Sequence, residues 1–198
     1  MGRLNNKIAI VTGAGQGIGR AIVQTLASEG ATVVAVDLNL SAVEETLQGF
    51  PQSGMALACN VGNSAEVASV VSKVEAEYGR VDVLVNNAGI GQAPNDGSDL
   101  YMQRLGARAE AFAKGETPTV FADHTIDMQD DGWLAVMNVN INGTFYFCRD
   151  VLKVMSRLNQ TGSIINISST SALNGEGGAH YCASKAAIVS YTQSAALA

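Results

Sequence analysis

Short apolar runs alternate with helical patterns along the first part of the chain. Strands are predicted over residues 7–12, 32–37, 55–61 and 81–86. In the helical stretches between them, apolar residues recur every three or four positions and share one helix face, as at Val67, Val70, Val71, Val74 and Tyr78. Strands that alternate with helices form a parallel sheet that helices cover on both faces. The pattern therefore predicts an α/β fold with a doubly wound parallel sheet.

The regular alternation stops after residue 90 and resumes further along the chain. Residues 91–125 are polar and contain glycine, and a short helix is predicted over residues 105–114. A long helix is predicted from about residue 130 to about residue 158, and a fifth strand over residues 163–168. A loop of small residues at 170–178 precedes a final helix that runs to the end of the chain. These elements predict one domain over residues 1–198.

Local signals place the ends of two of these helices. Ser41 and Ser64 each stand directly before a helical pattern, and serine is a favoured N-cap residue. Pro51 cannot continue a helix, so the helix that follows Ser41 is predicted to end at about Phe50.

The composition excludes several classes of protein. Hydrophobic residues make up 47% and charged residues 15% of the 198 positions, which argues against disorder. The net charge of −6, with no basic run, argues against a nucleic-acid partner. Three well-separated cysteines and two histidines form neither a disulfide framework nor a metal-ligand pattern. With no signal peptide and no apolar run of membrane-spanning length, we expect a cytoplasmic protein that binds no metal and does not enter a membrane.

A glycine-rich turn links the first predicted strand to the first helix. Residues 12–19 read Thr-Gly-Ala-Gly-Gln-Gly-Ile-Gly, and such a turn lets the backbone approach the pyrophosphate of a dinucleotide at a helix N-terminus. Asp37 ends the second strand, 18 residues after Gly19, where an acid can accept hydrogen bonds from ribose hydroxyls. Its charge would repel a 2′-phosphate, no Lys or Arg occupies positions 14–16 or 38–39, and Arg20 is interpreted as a surface residue. The predicted cofactor is NAD rather than NADP.

Tyr181 and Lys185 stand one helical turn apart and therefore share a helix face. A fixed positive charge beside a phenol favours the phenolate and lowers the phenol pKa towards working pH. Such a pair can donate and accept the proton in a carbonyl/alcohol interconversion. By itself the spacing is a weak signal, because it occurs by chance in many proteins and more often marks an exposed helix face.

The glycine turn and the Tyr181/Lys185 pair together resemble the short-chain dehydrogenase/reductase family in its common Thr-Gly-x-x-x-Gly-x-Gly form. Four further stretches match family motifs in the proper order: 60–61 (Asn-Val, where the family usually has Asp-Val), 86–89 (Asn-Asn-Ala-Gly), 139–143 (Val-Asn-x-x-Gly) and 165–169 before the Tyr-x-x-x-Lys. The resemblance covers nearly the whole chain apart from residues 91–125. It implies a Rossmann fold.

The resemblance also implies roles for individual residues. Tyr181 is expected to act as general acid/base, and Lys185 to hold the nicotinamide ribose and favour the phenolate. Ser169 is expected to bind the substrate oxygen, and Asn140 to support a proton relay through water. The cofactor-contacting positions implied in this way are Gly13, Gln16, Ile18, Gly19, Asp37, Asn60, Val61, Asn87, Ala88 and Gly89, with Tyr181 and Lys185.

Two of these assignments have competitors in the sequence. Asn142 competes with Asn140, although the Val-Asn-x-x-Gly pattern favours Asn140. Ser168 competes with Ser169, since both lie at spacings from the tyrosine that the family uses. His180, beside the tyrosine, is expected to be a rim residue without a catalytic role.

The chain departs from the family pattern in two places. Residues 91–125 form an unusually long connection and could be a substrate-side flap, an oligomer contact or a dispensable surface excursion. Only five strands are predicted, whereas family members continue into further strands, so we expect the sequence to be part of a longer protein. The function implied is that of an NAD-dependent oxidoreductase, a homodimer or homotetramer, acting on a secondary alcohol or ketone such as a 3-oxoacyl thioester, a steroid, a sugar or a cyclic alcohol. The alternative is a nucleotide-binding relative of the same fold without turnover.

Overall fold

The computed structural model describes residues 2–50 and 54–197. In these residues five parallel strands form one sheet in the order β3-β2-β1-β4-β5. The strands are β1 (Ile8–Thr12), β2 (Thr32–Asp37), β3 (Ala56–Ala58), β4 (Val83–Asn86) and β5 (Ser163–Asn166). The doubly wound parallel sheet predicted from the apolar pattern is therefore confirmed.

Helices cover both faces of this sheet. They are α1 (Gly17–Ser28), α2 (Leu40–Leu47), α3 (Ser64–Tyr78), α4 (Ser98–Ala113), α5 (Asp130–Met137), α6 (Gly143–Arg157), α7 (Ser171–Asn174) and α8 (Ala179–Ala195). A π-helical turn, Asn138–Asn142, joins α5 to α6 without a break. None of the helices described combines the length and the apolar character needed to cross a membrane.

Two apolar cores result from the alternation of side chains along the central strand. Ile8 and Ile10 belong to the core that includes α3 and α6, where Phe147 is fully buried. Ala9 and Val11 belong to the core that includes α1 and α2. Because both faces are covered, every residue of β1 is buried, as expected of a parallel strand.

The switch in strand order places a crevice above the centre of the sheet. β1 pairs with β2 on one side and with β4 on the other. The chain therefore continues from β1 towards one edge of the sheet, where β2 lies, and from β4 towards the other edge, where β5 lies. Ligands of open α/β sheets bind outside the carboxyl ends of the strands at this point.

Several strand boundaries predicted from the sequence are too long. The strands predicted over 7–12, 55–61, 81–86 and 163–168 are shorter in the structure, where they are Ile8–Thr12, Ala56–Ala58, Val83–Asn86 and Ser163–Asn166. Val81, for example, is fully buried but precedes β4. An apolar run marks burial, and burial extends beyond the hydrogen-bonded ladder.

The two predicted N-caps are wrong. The Oδ1 of Asn39 accepts a hydrogen bond from the Ala42 N–H at 3.3 Å, and α2 begins at Leu40. Asn63 accepts in the same way at the start of α3. Each asparagine precedes the expected serine and has the extended backbone that a cap requires. The helix α2 also ends at Leu47 rather than near Phe50, because the backbone becomes extended at Gln48. Pro51, which was expected to stop this helix, lies outside the described residues.

The remaining helices extend or divide the predicted ones. The short helix predicted over residues 105–114 begins earlier, at Ser98, and ends at Ala113. The long helix predicted from about residue 130 to about 158 is continuous over residues 130–157 but contains the π turn. The small-residue loop contains the short helix α7.

Candidate active site

A cleft of about 490 Å³ lies at the carboxyl ends of the central strands. Ten positions expected from the resemblance to contact a cofactor line this one cleft: Gly13, Gln16, Ile18, Gly19, Asp37, Asn60, Val61, Asn87, Ala88 and Gly89. The lining also includes five residues that were not among the expected cofactor contacts, namely Gly17, Leu38, Cys59, Ile90 and Val139. They flank the motif positions in the chain or lie on the facing helix.

The glycine turn is packed so closely that side chains are excluded from it. A Cβ on Gly19 would lie 2.0 Å from the Gly13 carbonyl oxygen and 2.6 Å from the Asn87 Nδ2. Gly13 has a φ of +63°, which favours glycine. Asn87 Nδ2 donates hydrogen bonds to the carbonyl oxygens of Thr12 at 3.1 Å and Gly13 at 3.2 Å, which holds the turn against the end of β4.

The turn leads into a helix end that is open to an anion. α1 follows Gln16, which has an extended backbone and makes no side-chain cap, so the first N–H groups of α1 are not bound by a capping side chain. These N–H groups and the positive end of the helix dipole favour a phosphate. The close backbone approach and the uncapped helix end fit the pyrophosphate of a dinucleotide.

Asp37 lies in the cleft with both carboxylate oxygens bonded to backbone. Its Oδ2 accepts from the Gly15 N–H at 3.0 Å, and its Oδ1 accepts from the Asn39 N–H at 3.1 Å. Arg20 is half-buried rather than an ordinary surface residue. Its guanidinium donates to the Gly15 carbonyl at 2.7 Å and to Glu45, so its charge is partnered within the protein.

Asn60 occupies the position where the resemblance leads one to expect Asp. Its Oδ1 accepts from the Gly62 N–H at 3.0 Å, and its own N–H donates to the Glu66 carboxylate at 2.8 Å. The neighbouring Cys59 is buried, and burial followed by the charge of Glu66 raises the pKa of its thiol to about 11. The Cys59 thiol is therefore protonated at neutral pH and is not a nucleophile.

Tyr181 and Lys185 lie on the first turns of α8, with the Lys185 Nζ 5.7 Å from the centroid of the Tyr181 ring. Lys185 is only 4% exposed, and its Nζ donates to the Ile167 carbonyl at 3.0 Å. Burial lowers the pKa of the Lys185 ammonium. A Cβ on Gly89 would lie 3.2 Å from the Lys185 Nζ, so the lysine adjoins the cleft.

The structure places Asn140, and not Asn142, beside Gly89 and Lys185. Asn140 is fully buried in the π turn, and its side chain bonds both backbone groups of Ile90 and donates to the Ser184 Oγ at 2.9 Å. Its Oδ1 also lies 3.3 Å from the Cβ position of Gly89. Asn142 is exposed and bonds to Asn138 on the outer face of the helix.

The two candidate serines have different partners. The Ser168 hydroxyl donates to the Lys185 carbonyl at 2.8 Å and is directed to the backbone of α8. The Ser169 Oγ lies 3.1 Å from the Ser171 Oγ and accepts from the Ser171 N–H. Ser171 is therefore a further hydroxyl beside the candidate site, which the sequence motifs did not indicate.

His180 differs most from the sequence-based expectation. It was expected at the rim, but it is fully buried, with its Nε2 3.1 Å from the Asp96 Oδ2. Its Nδ1 accepts a hydrogen bond from the Tyr181 N–H at 2.8 Å. In the part of the chain that the structure describes, no group of three or more His, Cys, Asp or Glu residues is arranged to hold a metal.

Comparison with known proteins identifies the family of this chain. The family described as short chain dehydrogenase matches residues 7–105 and 119–198, which leaves out part of the long connection before α5. A 3beta-hydroxysteroid dehydrogenase of Mediterraneibacter gnavus is 34% identical over 100% of this chain and 62% of its own length. A galactitol 2-dehydrogenase of Agrobacterium fabrum is 33% identical over 99% of this chain and 66% of its own length.

Solved structures agree with the sequence comparison. The crystal structure of an NAD+-bound xylitol dehydrogenase superposes with a TM-score of 0.77 at 28% identity, covering 98% of this chain and 65% of that one. The chain spans about two thirds of the length of the curated relatives it matches (62% and 66%). By its sequence match and its fold, the chain belongs to the short-chain dehydrogenase/reductase family.

Proposed function

We propose that the protein carrying this chain is an NAD-dependent oxidoreductase that interconverts a secondary alcohol and a ketone. One observation carries the proposal: at the Gly89 end of the cleft lined by the glycine turn, Lys185 Nζ and Asn140 Oδ1 both lie within 3.3 Å of the place that a Cβ on Gly89 would occupy. A nicotinamide at that end of the cleft would lie beside Lys185 and the Tyr181 phenol on the same helix.

The residues of the chain supply proton transfer and positioning. NAD, when bound, supplies the hydride acceptor or donor. Tyr181 takes the hydroxyl proton from an alcohol or gives one to a ketone oxygen. Lys185 stands near the Tyr181 ring as a positive charge and favours the phenolate. In this proposal Ser169 donates a hydrogen bond to the substrate oxygen.

Asn140 acts in this proposal as a support for the site. Its side-chain amide is occupied by Ile90 and Ser184, so the amide joins the loop after β4 to α8. In this proposal Asn140 also supports a proton relay through water.

The choice of NAD rests on the charges at the ribose end of the cleft. Asp37 places a carboxylate there, and the nearby cation, Arg20, is bound to the Gly15 carbonyl and Glu45. The Asp37 carboxylate would repel a 2′-phosphate, and the Arg20 guanidinium is already bound to other groups of the protein, so it does not offset that repulsion. The similar xylitol dehydrogenase is described as NAD+-bound, which supports the same choice.

The substrate class follows from the relatives only in outline. The two curated relatives are named for a 3β-hydroxysteroid and for galactitol, both of which carry secondary alcohols. We propose a secondary alcohol or ketone as the substrate.

We also propose that residues 1–198 form a single dinucleotide-binding domain and that the protein is a homo-oligomer. The subunits would meet through α6 and α8. The exposed Phe145 on α6 packs edge-on against Tyr191 of α8 and is available to a second subunit.

The experiment combines NADH binding with turnover. NADH fluorescence is titrated first, and a panel of secondary alcohols and ketones is then assayed with the parent protein and with Tyr181→Phe. We expect binding in both proteins and loss of turnover by about 10²- to 10⁴-fold in Tyr181→Phe, because general acid–base catalysis contributes that much. Binding without turnover of any substrate by the parent would favour the non-catalytic alternative.

A paired substitution tests the role of Ser169. Removing a hydrogen-bond donor to a developing oxyanion costs about 10²- to 10³-fold in kcat, so Ser169→Ala is expected to lose that much. Ser168→Ala serves as the matched control, because its hydroxyl is bound to the Lys185 carbonyl. An inactive Ser168→Ala beside an active Ser169→Ala would reverse the assignment.

A further inference from the structure

A buried polar pair joins the long connection between β4 and α5 to the helix of the catalytic tyrosine. Asp96 belongs to that connection and is 4% exposed, and His180 on α8 is fully buried. The His180 Nε2 lies 3.1 Å from the Asp96 Oδ2, across 84 positions of sequence. The other histidine ring nearby, His124, lies 6.4 Å from His180 between centroids and stacks on Tyr101.

The second ring nitrogen of His180 determines which tautomer is present. α8 begins after Gly178, which has no side chain to cap the helix, so the first N–H groups of α8 need other partners. The His180 Nδ1 accepts from the Tyr181 N–H at 2.8 Å and must therefore be unprotonated. In the neutral ring the proton then lies on Nε2, and this N–H donates a hydrogen bond to the Asp96 carboxylate.

Asp96 is itself held firmly by its own loop. Its Oδ2 accepts from the Ala93 N–H and its Oδ1 from the Ser98 N–H, each at 2.9 Å. Burial acts to raise the pKa of the Asp96 carboxyl, but these hydrogen bonds, together with that of His180, outweigh burial and hold the pKa well below its usual range. The adjacent Asn95 carbonyl accepts from the Gln129 N–H at 2.9 Å, which ties the loop to the start of α5.

We propose that Asp96 and His180 are positioning residues for the reaction, and that they set the location of Tyr181 from the long connection before α5. The chain of contacts runs from the Asp96 carboxylate through the imidazole to the backbone N–H of the tyrosine. A fully buried imidazole needs a partner for each ring nitrogen, and here one partner belongs to the long connection and the other is the backbone of the tyrosine. This inference rests on the proposed function and makes the connection part of the catalytic apparatus.

The kinetic test uses substitutions that cut the chain of contacts at different points. Asp96→Ala removes the acceptor for Nε2–H. Asp96→Asn keeps an acceptor oxygen for His180 and the Ala93 N–H, but it sets an NH2 group against the Ser98 N–H, which the parent Oδ1 accepts. His180→Gln keeps a donor towards Asp96 but loses the acceptor for the Tyr181 N–H. Asp99→Ala removes an exposed carboxylate three positions further along and is the matched control.

We expect Asp96→Ala and His180→Gln to lower kcat by about 10- to 100-fold, the effect of a misplacement of about 1 Å. NADH affinity and KM should stay within about twofold, because the cleft residues are unchanged. Asp96→Asn should recover part of the lost kcat, because it keeps the acceptor for His180 but not the one for the Ser98 N–H, and Asp99→Ala should match the parent. If Asp96→Ala does not fold, His180→Gln still tests the chain of contacts, because it cuts the chain at the Tyr181 N–H and preserves the contact with Asp96.

A measurement that is independent of turnover accompanies the kinetics. The chain contains two histidines, so ¹⁵N NMR of the imidazoles distinguishes them by comparison with His180→Gln. We expect a neutral Nε2–H ring at His180, and a shift of the Tyr181 amide resonance in Asp96→Ala. A protonated or Nδ1–H ring overturns the inference.

The kinetic outcomes separate this inference from the proposed function. If the parent turns over and Tyr181→Phe does not, but Asp96→Ala and His180→Gln retain the parent kcat, the pair is only structural and the inference fails alone. If the parent turns over no substrate, the proposed function fails and the inference fails with it.

Discussion

Replacing Gly19 by alanine should damage both the stability of the protein and its cofactor site. The added Cβ would lie 2.0 Å from the Gly13 carbonyl oxygen, 2.8 Å from the Gly13 carbonyl carbon and 2.6 Å from the Asn87 Nδ2. Optimal separations between non-bonded heavy atoms are about 3.5–4 Å. The backbone of the turn and the Asn87 amide must therefore move apart by about 1 Å or more.

The cost of this movement can be estimated from its parts. Overpacking a close-packed site costs about 1–3 kcal/mol. The two hydrogen bonds from Asn87 to the turn are each worth about 1 kcal/mol and would be strained or lost. Alanine gains about 1 kcal/mol over glycine in a helix, which offsets part of the loss. The free energy of unfolding should fall by about 2–4 kcal/mol.

The assay pairs urea unfolding with NADH titration, and Gly106→Ala is the control. Gly106 is also helical, but a Cβ there meets no atom within 4 Å. Gly106→Ala should therefore raise the free energy of unfolding by up to about 1 kcal/mol and leave NADH affinity unchanged. A Gly19→Ala protein that is as stable as the parent and binds NADH equally well would refute the close packing inferred for the turn.

Three further predictions concern the ribose site, the pH dependence and the core. Asp37→Ser should raise the affinity for NADP relative to NAD by about 10- to 100-fold, because charge repulsion of a few kcal/mol is removed; equal ratios in parent and variant would contradict this. Burial acts to raise the pKa of the Asp82 carboxyl, but hydrogen bonds led by that from Arg80 outweigh burial and hold the pKa below its usual range. The ionised Asp82 carboxylate therefore stabilises the folded protein at neutral pH, and this stabilisation is lost as the pH falls through the folded-state pKa. Asp82→Asn should lower the free energy of unfolding by about 1–3 kcal/mol at pH 7. Urea unfolding at several pH values should show the difference between parent and variant narrowing below about pH 4. Phe147→Ala should cost about 3–5 kcal/mol in urea unfolding because the side chain is fully buried, whereas the exposed Phe112→Ala should cost much less, and similar losses would contradict the assigned core.

The apolar pattern predicted the order and type of the main elements but not their ends. The stripe of valines on α3 is buried as its spacing predicted. The helix starts were misplaced because Asn39 and Asn63, one residue before each helix, take the cap that was assigned to a serine. Cap choice depends on backbone angles that the hydrophobic period does not specify.

The candidate site was predictable where a local motif carries the chemistry. Glycines at a strand–helix turn indicate a close backbone approach, and the structure places that turn in the cleft. The motif favoured Ser169 but left Ser168 as a competitor, because the hydroxyl partners lie outside the motif: the backbone of α8 for Ser168, and Ser171 at the start of α7 for Ser169.

The sequence by itself determined the alternation of strands and helices, the glycine turn and the Tyr181/Lys185 spacing, since each depends on residues near one another in the chain. Only the tertiary structure decided the burial of His180 and its contact with Asp96, which are 84 positions apart. The same holds for Asn140, whose buried amide meets Ile90 across 50 positions. Local periodicity reports which face of an element is apolar, whereas the partner of a buried polar group is set by how the elements pack, because each such group must find its hydrogen bonds in the folded interior.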